Sequence, residues 1–117
     1  MKFAKKVRTY MIRKECYGEI DMEIGYEKKL DDLVFLLDEK GKIENTVEVS
    51  PGFIIDLSKK NKIIAIEIVG CSEQLGTSKE YVEKAKKEVF VENYEFSYKI
   101  IISFNDGEKE IQKRVLK

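Results

Sequence analysis

The sequence predicts an α+β domain, a mostly antiparallel β-meander sheet with one amphipathic helix at about residues 78–90 packed on one face and a C-terminal β-hairpin. Three observations predict it. Ile20, Met22, Ile24 and Tyr26 alternate with Glu19, Asp21, Glu23 and Gly25, the period of two of a half-buried strand. Thr77-Ser78-Lys79-Glu80 has the spacing of a capping box, in which hydroxyl and carboxylate each satisfy an orphan amide at a helix start. Asn105-Asp106-Gly107 separates the runs 96–104 and 111–116, and an Asx-Gly pair accepts the positive φ that closes a hairpin.

The remaining elements follow in chain order. Over residues 3–12, Phe3, Val7, Tyr10 and Met11 would fit a helical face, but the Val, Thr, Tyr and Ile content favours a strand. Leu33-Val34-Phe35-Leu36-Leu37 is apolar on both faces and stops at Asp38-Glu39-Lys40-Gly41, as a central strand ending in a turn does. After Thr46 to Val49, Ser50-Pro51-Gly52 supplies the fixed φ of proline and then the positive φ of glycine that a type II turn needs. Phe53 to Leu57 resumes as a strand, Lys59-Lys60-Asn61 turns, and Ile63 to Val69 is a β-branched run too unbroken for a surface helix. In the predicted helix, Tyr81, Val82, Ala85 and Val89 share one side, while Glu80/Lys84 and Glu83/Lys87 are four-apart ion pairs on the other.

Composition narrows the function classes. At 117 residues without a linker or repeat, the chain is expected to be a single domain, able to withdraw roughly two thirds of its unfolded surface from water. No apolar segment approaches the about 20 residues of a membrane span, and no h-region follows the basic N-terminus, so the expected location is cytoplasmic. Cys16 and Cys71 are too few and too far apart for a disulfide framework or metal knuckle, and Cys71 is expected to be a small buried hydrophobe. Lys plus Arg and Asp plus Glu both number 22, so no global field favours nucleic acid or an anionic membrane. The high charged fraction fits a thermophilic source and equally an AT-rich genome.

From Met22 onward specific residues carry a family resemblance. Met22-Glu23-Ile24-Gly25-Tyr26 leads through a short acidic turn at Asp31-Asp32 into the Leu-rich strand 33–37, Val49-Ser50-Pro51-Gly52-Phe53 forms a central Pro-Gly turn, and Ile63 to Ser72 holds an internal Glu67. Residues 22–75 resemble the small prokaryotic proteins called domain of unknown function 2283. The departures, Glu27-Lys28 for Asp-Pro, Asp32 for a small residue and Ala65 for glycine, fall mostly at turns. The resemblance implies a fold rather than an activity. Some family members look like partners of small toxin-like proteins, which implies an antitoxin-like binding module.

The chemistry is sparse. Without histidine, proton transfer near neutral pH would need a carboxylate, lysine, tyrosine or cysteine of shifted pKa. The acids that could act together are Asp31 with Asp32 in a turn, and Asp56 with Glu67 on neighbouring strands; the bland alternatives are a solvated turn and a solvent-facing or lysine-paired glutamate. Asp31, Asp56 and Glu67 would make a hard-ion oxygen site, but their spacing is not that of a calcium loop, and no metal is expected. The seven glycines are scattered, so no nucleotide or other cofactor is expected. No enzyme is expected, a carboxylate-dependent hydrolase being the remote alternative.

Two binding roles remain. In the first, the chain is a protein-interaction module, a homodimer included, which docks by an edge strand or helix face; the terminal hairpin is the expected edge and Phe96, Tyr98 and Phe104 its anchors if exposed. In the second, Lys5, Lys6, Arg8, Arg13 and Lys14, interleaved with Phe3 and Tyr10, follow a nucleic-acid backbone.

Overall fold

The computed structural model describes residues 5–13, 16–38, 40–93 and 97–117, with side chains described from Met22 onward except at residues 39 and 93–96. Nine strands are described: β1 (Lys5–Arg13), β2 (Cys16–Glu27), β3 (Asp32–Leu36), β4 (Asn45–Ser50), β5 (Phe53–Leu57), β6 (Ile63–Val69), β7 (Lys86–Asn93), β8 (Tyr98–Asn105) and β9 (Glu110–Leu116). Two short helices, α1 (Cys71–Leu75) and α2 (Lys79–Lys84), lie between β6 and β7. The α+β class is therefore as the sequence predicts, and the residues over 5–12 form a strand.

The strands make one sheet in the order β4-β5-β6-β3-β2-β1-β7-β8-β9. Every described pairing is antiparallel except that of β1 with β7, where Thr9 lies opposite Val89. The order corrects a simple meander. β3 pairs with β6 rather than with β4, so the segment between them carries the chain outward and leaves β4 at the margin. β3 is central, as its two apolar faces predict. One contiguous core joins the two ends of this strand order: Met22, Phe35, Phe53 and Ile66 from one wing pack with Val89, Ile100, Phe104 and Val115 from the other, so the sheet curls over its own inner face.

Alternation places residues as the pleat requires. Leu33, Phe35, Phe53, Ile55, Ile66 and Ile68 face the core, while Asp32, Val34, Ile54, Asp56 and Glu67 fall on the outer face. The Pro51-Gly52 turn forms with Gly52 at φ 75°, and a Cβ there would lie 2.8 Å from the Val69 carbonyl oxygen, so backbone proximity as well as conformation demands glycine. The hairpin at 105–109 also forms: Asn105 Oδ1 accepts from Gly107 N at 2.7 Å, and Asp106 Oδ1 accepts from Glu108 N and Lys109 N.

The predicted helix is much shorter than 78–90. Ser78, not Thr77, caps it, its hydroxyl accepting from Tyr81 N at 3.1 Å. The chain turns extended at Ala85 and becomes β7. The physical reason lies in the double period of this stretch: Ala85 and Val89 suit a helix, but Lys87, Val89 and Val91 also alternate with Lys86, Glu88 and Phe90. Open edges on both β1 and β8 provide the ladder bonds that decide for strand. Alternation then turns Lys87 inward, only 2% exposed, where its ammonium donates to the Ala85 carbonyl at 2.8 Å. No described helix is long and apolar enough to cross a membrane.

Candidate functional site

The double aspartate separates into two environments. Asp31 adopts φ 54°, a conformation that short polar side chains tolerate, and it is 6% exposed. Its Oδ1 accepts from the Tyr26 hydroxyl at 2.6 Å, its Oδ2 from the Ser72 hydroxyl at 2.7 Å, and both oxygens from Ser72 N. Its own carbonyl accepts from Cys71 N. Asp31 therefore caps α1 from 41 positions away and ties the β2–β3 turn to the end of β6. The solvated turn expected at Asp31 is overturned, because the Asp31 carboxylate supplies partners for amides that α1 cannot satisfy itself.

The electrostatics follow. Burial raises the Asp31 carboxyl, but the hydrogen bonds from Ser72 and Tyr26 together outweigh it and hold the carboxyl below its ordinary value. Burial first, and then the bond to Asp31, pushes the Tyr26 phenol well up. Cys71 is fully buried, as predicted, and its thiol is pushed up to about 12, chiefly by burial and then by Asp31. Here a thiol, two hydroxyls and a carboxylate meet, but the carboxylate is engaged as an acceptor and the thiol is held protonated. The cluster is a clamp.

Asp32 points to the other side. Glu67 on β6 has Val34 of β3 and Ile54 of β5 directly opposite, with Asp32 and Asp56 the diagonal neighbours on the same face. A hydrogen bond with Asp32, then burial, then the charges of Asp32 and Asp56 raise the Glu67 carboxyl from 4.5 to about 7. Asp32 Oδ1 is buried with no hydrogen-bond partner, while Asp56 accepts from the Thr46 hydroxyl at 2.7 Å. The expected neighbourhood of Asp56 and Glu67 is present, but Asp32 rather than Asp31 completes it, and no hydrogen bond or ion pair from a lysine to Glu67 is found among the described residues. No group of three or more His, Cys, Asp or Glu among the described residues is arranged to hold a metal ion.

Of the basic N-terminal residues, Lys5, Lys6, Arg8 and Arg13 belong to β1, where the backbone of Lys6 pairs with Glu23 and that of Arg8 with Asp21 of β2. Lys14 lies outside the described residues.

Two of the three candidate aromatic residues of the terminal hairpin are described, and they are placed differently from one another. Phe104 is fully buried in the core and cannot serve as an exposed anchor, because alternation along β8 turns it inward with Ile100 and Ile102. Tyr98 is half-buried against the core, and Phe96 lies outside the described residues. An open groove of about 790 Å³ on the outer side of β7–β9 is lined by side chains of both signs, Lys84, Lys86, Glu88, Asp106 and Glu110 among them. It contains no histidine or cysteine.

The two margins of the sheet differ. β9 carries Lys113 and Arg114 and is followed by Lys117, charges of the kind that deter strand addition. β4 holds neither lysine, arginine nor proline between Asn45 and Ser50. Residues 42–48 are all exposed, including the apolar Ile43 at 51% and Val47 at 37%. Both margins carry charge and expose an apolar side chain, Leu116 on β9 at 70%, and β4 has a bulge between Glu48 and Ser50; β4 is the margin with no lysine or arginine inside the strand.

Residues 23–72 match the family described as Protein of unknown function (DUF2283). The matched stretch agrees with the resemblance seen from Met22 onward. It holds the Asp31 clamp, the Asp32–Glu67 pair and the β4 edge, whereas β1 and β7–β9 lie outside it. No curated protein and no solved structure matches the chain.

Proposed function

We propose that this protein is a non-enzymatic, cytoplasmic interaction module that receives another protein chain along the free edge of β4. The observation that carries this reading is the contrast between margins: β9 holds Lys113 and Arg114 within the strand, while β4 holds no lysine or arginine and, with the segment 42–44 before it, exposes Ile43 and part of Val47 beside unpaired backbone groups. An antitoxin-like role is one form of this activity, with a small partner adding a strand next to Asn45–Ser50. Nucleic-acid binding is the second reading, less favoured because Lys plus Arg and Asp plus Glu both number 22 and give the chain no net positive charge.

The test is capture from host extract, with nuclease treatment, by the wild-type chain and by Val47→Lys. Val47 is an exposed edge position, so the substitution should leave folding within about 0.5 kcal/mol. A protein retained at near-equal stoichiometry by the wild type and lost by Val47→Lys is expected. Equal capture by both, or recovery of nuclease-sensitive nucleic acid alone, would contradict the proposal.

A further inference from the structure

We infer that the β4 edge pairs with the β4 edge of a second copy, antiparallel about a two-fold axis at Asn45. The inference rests on the edge-docking reading and names its partner. In a continuous sheet generated by a two-fold axis, facing residues must share a face, so the axis passes through a residue and only a few registers exist. An axis at Thr46 sets Glu44 against Glu48, and an axis at Glu48 sets that residue against itself; both oppose like charges. An axis at Val47 sets Ile43 against Pro51 and leaves Lys42 and Glu48 without opposite charges facing them.

The axis at Asn45 satisfies every position. It sets Lys42 against Glu48 of the second copy, Ile43 against Val47, and Glu44 against Thr46, and symmetry repeats each pair. The two exposed apolar side chains of this margin thus cover each other, and its lysine meets an acid. The chain can extend to Lys42: Glu44 N still bonds the Leu57 carbonyl at 2.9 Å. Lys42 and Glu44 form an ion pair at 3.7 Å, the same-side relation of residues two apart in extended chain.

The experiment combines sedimentation with cysteine trapping in the full chain, using a Cys16→Ser background because Cys71 is buried. With the axis at Asn45, the two Asn45 Cα atoms approach to about 4.5–5.5 Å, within disulfide range. The two Val47 Cα atoms are then offset by four residues, about 14 Å along the strands. Asn45→Cys should form a covalent dimer under mild oxidation and Val47→Cys should not. Glu48→Lys should weaken the dimer about tenfold, and Lys42→Glu combined with it should restore the affinity. A chain that sediments as a monomer at every concentration, or faster trapping of Val47→Cys than of Asn45→Cys, would overturn the inference. If Val47→Lys still abolishes capture of a different protein while the chain is monomeric, the second copy is excluded and the edge-docking reading stands.

Discussion

Replacing Asp31 by alanine is expected to destabilise the protein by about 3–4 kcal/mol, the largest effect of any single polar substitution considered. The substitution strips the Tyr26 hydroxyl, the Ser72 hydroxyl and the Ser72 amide of a shared acceptor, all within a 6% exposed site. It also places an ordinary side chain at φ 54°. Asp31→Asn tolerates that conformation and keeps one acceptor oxygen, so a loss of about 1–2 kcal/mol is expected. Urea unfolding with unchanged slope would measure both. The same carboxyl governs acid sensitivity. Its folded pKa lies below its unfolded value, so its stabilisation is fully present above about pH 4 and is lost as pH falls through the folded pKa. Asp31→Asn should flatten that acid limb.

Glu67→Gln is expected to act in the opposite direction and at the opposite end of the pH range. Glu67 is raised to about 7 in the fold, so between about pH 4.5 and pH 7 the native state keeps a proton that the unfolded chain releases. Stability must therefore fall as pH rises through this window and level off above it. With allowance for solvent screening at a half-buried position, the decline is on the order of 1–2 kcal/mol. Glutamine reproduces the neutral, donating form beside Asp32 at every pH. The variant should match the wild type near pH 5, exceed it by that amount at pH 8, and lose the slope. A wild-type stability that rises between pH 5 and pH 8, with Glu67→Gln parallel to it, would show that the acid pair is not strained.

Much of the fold was legible because local chemistry and tertiary context agree there. Strand alternation at Met22–Tyr26, the Pro51-Gly52 turn and the Asn105–Gly107 hairpin each rest on residues whose conformational demands are met within a few positions. Residues 86–90 were misread as helix because Ala85 and Val89 satisfy a helical period while Lys87, Val89 and Val91 satisfy a strand period, and only the neighbours β1 and β8 choose between them. The clamp was hidden for a related reason. Nothing near Asp31 signals that Ser72, 41 residues later, will turn its amide and hydroxyl towards it. Two adjacent aspartates look alike in sequence, yet the pleat sends Asp32 to the outer face while the turn buries Asp31. The pairing of Asp56 with Glu67 could be foreseen from strand adjacency, but its third member could not. That β4 lies at a margin was not legible either, because it does so only through the long-range pairing of β3 with β6.

Amide hydrogen exchange tests the central claim most directly, comparing the chain diluted until it sediments as a monomer with the chain in the assembly recovered from its host. Docking on the free edge predicts new protection at residues 42–50, with β9 and β1 unchanged. Protection that appears along β9 or β1 while residues 42–50 exchange as they do in the isolated chain would contradict it.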